Sequence, residues 1–456
     1  MKKIEKRAVL CIVLAAALLL GLGIYLYRFV RHGASWASFP SNRHLYNSQG
    51  QLASGTVTDR DGDILTQVNE DGRRTYYDSS TVRRATLHVV GDPSGNIGTG
   101  ALSAFADKLS GYNLFTGAYS PLGSGNTLSL TIDAHYNYVA YNALDGRKGT
   151  VGVYNYKTGE ILCMMSNPSF DPLDPPDVSS DSERWEGVYL NRFLSSTFTP
   201  GSVVKTVTMA AAIEKIPDLY ARTWDCTGST EVGGQPITCI DAHGTINVEE
   251  ALAKSCNAVF ALLANELGAQ TMQEYFDKAG LTSTYSVSGI STVPSKFVFG
   301  GTSANQLGWA GVGQYNDAVN PCSLMVFMGA VANGGQAAVP QLVLDVKTGF
   351  GMSTHWYREK KTGVLIEPMT ASRLADAMAY TAEYTGKSRF GNIDICVKSG
   401  TAEVGGGKKP NAWFTGFIRD PEHPYAFVVL VENGGGGSAV AGAVAAQVLD
   451  PIVNGY

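Results

Sequence analysis

Beyond its first thirty residues, this chain of 456 residues has no second apolar run long enough to cross a bilayer, which excludes a polytopic membrane protein. It has no basic run outside the N-terminus, and with a net charge of -5 its balance argues against a nucleic-acid partner. Cysteines number seven, none in C-x-x-C spacing and none joined to histidines by a ligand-like interval, so no metal site is expected. No internal repeat is visible. There remains an ordinary globular composition, 44% hydrophobic, long enough for about two or three domains.

From Ala8 to Tyr27 runs an uncharged stretch rich in Ala, Leu, Val and Ile, preceded by Lys2, Lys3, Lys6 and Arg7. Its length suits a membrane-spanning helix, and the positive-inside rule keeps the N-terminus cytoplasmic and exports the rest. A cleaved signal peptide usually has a shorter apolar core, so a retained anchor is expected. Cys11 lies in this segment. Cys226 and Cys239 flank "TGSTEVGGQPIT", a hairpin-like loop that a disulfide could close in an oxidising compartment, or that holds two free thiols.

Residues 33–122 read as a small β-rich module, with Asp-Gly turns in "SGTVTDRDGDILTQ" and "NEDGRRTYY". After the Gly/Ser turn near "SPLGSGNT", residues 123–456 mix elements. "LSLTIDAHYNYVAYNALDG" reads as strand then helix, and "GTVGVYNYKTGEILCMMSN" as a hairpin. "GSVVKTVTMAAAIEKI" and "NVEEALAKSCNAVFALLANELG" carry apolar residues at helical spacing. "NIDICVKSGTAE", "AWFTGFIRD" and "YAFVVLVENG" are strands before a helical end. Strands at both ends of a helical middle suggest an α+β domain whose sheet is assembled from distant segments.

Within "FTPGSVVKT", Ser202 stands three residues before Lys205 and directly after Pro-Gly. Serine and lysine are common, so this S-x-x-K spacing decides nothing alone. Its setting adds weight: Pro-Gly suits a helix start, and the apolar run after it suits a buried helix. At i and i+3 the two side chains share a face, and in an apolar pocket the amine loses charge stabilisation and becomes a usable base.

A serine acyl-transfer site of this type needs an S-x-N and a K-[TS]-G element as well. Ser94-Gly-Asn96 and Ser124-Gly-Asn126 sit in glycine-rich turns before the serine, and Ser303-Ala-Asn305 is a further match. Ser255-Cys-Asn257 instead lies inside an apolar helical stretch, where polar residues need a reason. Lys157-Thr-Gly159, Lys347-Thr-Gly349 and Lys361-Thr-Gly363 are literal K-T-G but fall in turns, whereas Lys398-Ser399-Gly400-Thr401 continues the strand "NIDICV". Context favours the last.

These residues, with "TVTDRDGDIL", "LSLTID", "GEILCMMSNPSFDP", "AHGTINVEEALAKSCNAVF", "GVGQ", "VANGG" and "KSGTAE" in order, make the chain similar to the class B penicillin-binding proteins, membrane-anchored peptidoglycan D,D-transpeptidases. The match runs over almost the whole chain beyond the anchor, with an N-terminal module shorter than is usual in the family. The resemblance implies a five-stranded antiparallel sheet flanked by helices, an all-helical subdomain and an active site between them. The substrate would be a stem peptide ending in D-Ala-D-Ala, and β-lactams would be inhibitors.

On that resemblance Ser202 is the nucleophile, Lys205 its base, and Ser255 a relay to the leaving nitrogen. Asn257 would hold Lys205 and a substrate amide. Lys398 would supply positive potential, Ser399 and Thr401 would receive the terminal carboxylate, and Gly400 would keep the strand approachable. The backbone N–H groups of Ser202 and Thr401 would form the oxyanion hole. No metal or organic cofactor is required, and a membrane glycosyltransferase is the implied partner. A D,D-carboxypeptidase or β-lactamase would use the same motifs with water as acceptor. A β-lactam sensor would need several membrane spans and a cytoplasmic effector, and a dead scaffold would have lost a motif residue.

Overall fold

The computed structural model describes residues 2–37, 45–46, 51–112, 125–355 and 359–455. The expected module boundary at residue 122, and Ser124, lie outside them. Helix α1 (Lys2–Ala37) is continuous, about 54 Å long at 1.5 Å per residue, and its apolar side chains are exposed along its length. It is long and apolar enough to cross a membrane.

Strands β1 (Thr56–Thr58), β2 (Ile64–Val68) and β3 (Arg74–Tyr76) form the two expected hairpins. The Asp59 carboxylate accepts the Asp61 and Asp63 N–H groups and so shapes the first turn. It also accepts the Ala134 N–H, while Arg60 reaches Glu160 at 3.2 Å, so this turn ties the N-terminal hairpins to the chain beyond residue 125. Helices α2 (Ser80–Val90), α3 (Ala101–Ala104) and α4 (Ala106–Leu109) complete the segment. The β-branched composition of "STVRRATLHVV" hides α2 from a strand-oriented reading. Ser79 caps its N-terminus, and Val82, Ala85, Val89 and Val90 go to the core.

Strand β4 (Thr127–Leu130) pairs parallel to β1, and α5 (Ala134–Leu144) leads into the hairpin β5 (Gly149–Asn155) and β6 (Ile161–Asn167). A 3-10 turn, Gly201–Val204, runs into α6 (Lys205–Lys215). Then come β7 (Trp224–Cys226), β8 (Ser229–Val232), β9 (Gln235–Thr238), β10 (Gly244–Ile246) and α7 (Val248–Ala253). Helix α8 (Asn257–Lys278) is interrupted at Gly268. The ribbon β11 (Ser286–Val287) and β12 (Ile290–Ser291) precedes α9 (Ala304–Gly311), α10 (Pro321–Ala332) and β13 (Val343–Lys347). Helix α11 (Pro368–Tyr384), strands β14 (Ile395–Ala402), β15 (Asn411–Ile418) and β16 (Tyr425–Val431), and α12 (Gly442–Asn454) close the chain.

The main sheet has the order β14-β15-β16-β5-β6, antiparallel throughout. Its centre pairs Tyr425–Val431 with Gly149–Asn155, which joins the chain's distant ends as the sequence suggests. Both faces are covered. Along β16 the alternate residues Ala426, Val428 and Leu430 enter the core that includes α10, while Phe427, Val429 and Val431 enter the core under α5 and α12. That double burial is why "YAFVVLV" is apolar without alternation. The helical subdomain built from α6 to α9 also carries three two-stranded ribbons, β7 with β10, β8 with β9, and β11 with β12. A second sheet, β13-β4-β1-β2-β3, draws strands from beyond residue 125 onto the N-terminal hairpins.

Candidate active site

The serine turn is clamped from three sides. The Gly201 N–H donates to the Gly313 carbonyl at 2.9 Å, Trp413 Nε1 donates to the Thr199 carbonyl at 2.9 Å, and Phe198 bridges Val319. Gly201 has φ +57, and a Cβ there would lie 2.9 Å from that of Ala402. No other residue fits the bend that presents Ser202. Gly400 faces the same turn: a Cβ would stand 3.0 Å from Val203 Cγ1 and 3.1 Å from the Pro200 carbonyl. The small residue lets edge strand β14 run against the serine.

Lys205 starts α6 and is fully buried. Its Nζ donates to the Ser255 carbonyl at 2.6 Å, to Ser255 Oγ at 3.2 Å and to Asn257 Oδ1 at 2.7 Å. Lys398, on β14 and equally buried, donates to the same Ser255 Oγ at 3.0 Å and to the Ser399 carbonyl at 2.8 Å. One hydroxyl therefore stands between two amines. Burial pushes the Lys205 amine down to about 7, and burial together with the Lys205 charge pushes Lys398 well below the ordinary lysine range.

Among the described residues, no hydrogen bond joins the Ser202 hydroxyl to Lys205. As an ammonium, Lys205 has three donors, and all three are engaged. Once neutral it keeps two donors for the Ser255 carbonyl and Asn257, and gains a lone pair that can accept a proton. The arrangement thus supplies a general base when the amine is deprotonated.

Ser255 lies between α7 and α8 with φ +56, a left-handed conformation uncommon outside glycine, asparagine and aspartate. That turn swings its carbonyl and hydroxyl onto the lysines. Asn257 opens α8, and its Nδ2 donates to the Thr238 carbonyl at 2.8 Å, leaving one N–H for another partner. Ser202, Ser255, Asn257, Ser399 and Thr401 line one cleft of 540 Å³. Thr401 Oγ1 accepts the Gly437 N–H at 3.2 Å. All eight residues singled out from the sequence meet here.

The rival matches lie elsewhere. Lys157 sits in the β5–β6 turn, Lys347 at the exposed end of β13 and Lys361 on the surface. Asn96 donates to Asp92 in a turn, and Ser303 caps α9. Sequence reasoning missed the Ser255 backbone conformation and assigned no role to Gln314, whose buried Nε2 has no partner among the described residues and which lines the cleft. The motif "GVGQ" was its only signal. The cysteine intervals show no shared site, yet the fold gathers three of the cysteines with a histidine. Cys226 and Cys239 are unbonded with sulfurs 3.7 Å apart, and His243 and Cys256 join them from distant positions.

The chain matches the family model of the penicillin-binding protein transpeptidase domain over residues 149–453. It is 28% identical over 459 residues to the peptidoglycan D,D-transpeptidase PbpA of Mycolicibacterium smegmatis, covering 90% of each chain. PbpA of Mycobacterium tuberculosis is 29% identical over 362 residues, 71% of each chain. Among solved structures, the D,D-transpeptidase domain of a peptidoglycan glycosyltransferase from Eggerthella lenta superposes with a TM-score of 0.76 at 25% identity, covering 88% of this chain and 99% of that one. Penicillin-binding protein A of M. tuberculosis, solved as an imipenem acyl-enzyme complex, gives 0.76 at 24% identity, over 88% and 98%.

The lysine pair generates two predictions. Because only neutral Lys205 can accept a proton, the acylation rate by a penicillin is expected to fall as pH drops below about 7, near tenfold per unit, and to level off above it. A rate flat down to pH 5 would remove Lys205 as the base. Lys398→Ala is expected to slow labelling by a fluorescent penicillin sharply, while Lys347→Ala and Lys361→Ala change it by no more than about twofold, as surface substitutions do. Equal losses in all three would mean that β14 is the wrong strand.

Proposed function

The chain belongs to the penicillin-binding protein transpeptidase family, and from that premise we propose how its residues perform the reaction. The protein is a class B penicillin-binding protein, a peptidoglycan D,D-transpeptidase working through a serine acyl-enzyme. The observation that carries the residue assignment is the Ser255 hydroxyl between two buried lysine amines, at the rim of the cleft that holds Ser202.

Ser202 Oγ attacks the carbonyl of the penultimate D-alanine, and its proton passes to neutral Lys205. The tetrahedral oxygen is held by the backbone N–H groups of Ser202 and Thr401, each typically worth about 3 kcal/mol. Ser255 delivers a proton to the terminal D-alanine nitrogen, the C–N bond breaks and D-alanine leaves. The proton that Lys205 took from Ser202 replaces it across the Lys205–Ser255 contact, so Lys205 is neutral again, while Lys398 holds the Ser255 hydroxyl in place. A neighbouring stem's amine then attacks the ester and gives up a proton through Ser255 to Lys205; the new C–N bond forms, the ester C–O bond breaks, and Lys205 returns the proton to Ser202 Oγ. Ser399 and Thr401 receive the terminal carboxylate, and the free N–H of Asn257 receives a substrate amide. β-Lactams acylate the same serine.

Helix α1 acts as a retained membrane anchor with a cytoplasmic N-terminus and the catalytic domain outside. Protease treatment of spheroplasts should leave only the N-terminal helix protected, and a protected catalytic domain would reverse the topology. The division into an anchor at 1–32, a module at 33–122 and a catalytic domain at 123–456 belongs to this reading. The strands β4 and β13 that complete the module's sheet come from the catalytic part. A membrane glycosyltransferase is the proposed partner, because class B penicillin-binding proteins carry no glycan polymerase of their own. Recovery of the protein alone from mildly solubilised membranes would count against it.

The assignment is tested by intact mass. One β-lactam is expected to add to the chain, at Ser202. Ser202→Ala should abolish the adduct with the fold retained, and Lys205→Ala should slow its formation by about a hundredfold or more. The adduct should persist for many minutes. No adduct at Ser202 would overturn the assignment, and one cleared within seconds would favour a hydrolase.

A further inference from the structure

Beside the catalytic cleft, four side chains that the reaction does not use converge from four parts of the subdomain. Cys226 ends β7, Cys239 comes directly after β9, His243 precedes β10, and Cys256 stands between Ser255 and Asn257. Their ligand atoms all lie within 4.8 Å of one another. Cys226 Sγ is 3.7 Å from Cys239 Sγ and 3.3 Å from His243 Nδ1, and Cys239 Sγ is 3.7 Å from Cys256 Sγ.

These separations carry information. A disulfide requires sulfurs about 2.05 Å apart. Sulfurs sharing a tetrahedral zinc at about 2.3 Å stand roughly 3.8 Å from each other, and about 3.6 Å from an imidazole nitrogen on the same ion. Both sulfur–sulfur contacts match the edges of such a tetrahedron, and the sulfur–nitrogen contact of 3.3 Å lies close to its edge. The backbone holds the set in place independently: His243 N–H donates to the Cys226 carbonyl at 3.0 Å and Cys239 N–H to the Gly228 carbonyl at 2.9 Å. The Ala258 N–H, in the first turn of α8, points at Cys239 Sγ at 3.3 Å, the contact a thiolate would use.

We infer that Cys226, Cys239, His243 and Cys256 form a tetrahedral zinc site whose role is to fix the Ser255–Asn257 turn. Three thiolates and one imidazole suit zinc over hard cations, and four protein ligands leave no open position, as in a structural site. Binding replaces the thiol protons, which are released to solvent. The ion would join Cys239, next to the Thr238 carbonyl that holds Asn257, to Cys256, which separates Ser255 from Asn257. It would also keep three thiols from pairing in the oxidising space outside the membrane.

The site stands apart from the acyl-transfer assignment because metal content is read directly. Full-length protein purified in detergent under reducing conditions is expected to carry one zinc per chain. Replacement by cobalt(II) should give the intense visible absorption of a tetrahedral cobalt thiolate. His243→Ala and Cys226→Ser should each weaken zinc affinity by roughly a hundredfold or more, and Asp241→Ala, also at the cleft, should leave it unchanged. Cobalt spectroscopy of the unaltered chain decides the matter even if a variant fails to fold. Substoichiometric zinc with no thiolate absorption would overturn the site, as would a disulfide within the set that persists when zinc is supplied under reducing conditions. Zinc bound while penicillin labelling fails would count against the catalytic assignment instead.

Discussion

Two lysine amines are buried around one serine hydroxyl, and the surrounding architecture serves that arrangement. A buried ammonium is costly unless paired, and here the closest partners of both amines are carbonyl, amide and hydroxyl oxygens. The cost is met by lowering the charge: burial brings the Lys205 amine down to about 7 and, with the Lys205 charge, pushes Lys398 well below the ordinary lysine range. On the proposed assignment, the basicity that Lys205 needs is a product of packing. Lys205 comes from a helix, Lys398 from a sheet edge and Ser255 from a strained turn, so the constellation exists only when helical subdomain and sheet are docked.

The surrounding glycines and the tryptophan serve the same end. Trp413 uses its ring nitrogen on the Thr199 carbonyl and packs edge-on against Phe198, fixing the approach to the serine turn. Gly201 and Gly400 let two backbones come closer than any side chain would allow. The serine is thus held by rigid elements on both sides, as a reacting group positioned for attack requires.

Much of this was legible in the sequence because patterns of short range report it. The β5–β6 hairpin is written in the alternation around Lys157-Thr-Gly159, and the choice of Lys398 over three literal K-T-G triplets rests on the strand before it. The features that escaped depend on tertiary contact. Helix α2 carries strand-favouring residues and is helical because Ser79 caps it and its apolar face finds a core. The positive φ of Ser255 has no marker, since serine is not a residue that announces a left-handed turn. The gathering of Cys226, Cys239, His243 and Cys256 is invisible in intervals of three to twelve intervening residues, because hairpin β8–β9 folds one long gap away and β10 with α7 spans the other.

The central pairing of the main sheet, Gly149–Asn155 against Tyr425–Val431, has a consequence for how such a chain matures. A contact that spans most of the catalytic domain forms late, because the closure of so long a loop must precede any gain from it. Strand β14 is the edge of that sheet and joins it only through β15, so the Lys398–Ser255 contact depends on that pairing. In chain order the serine comes well before the strand that supplies the second amine. A chain that ended before residue 395 would carry Ser202, Lys205 and Ser255 but lack the sheet edge that brings the second amine.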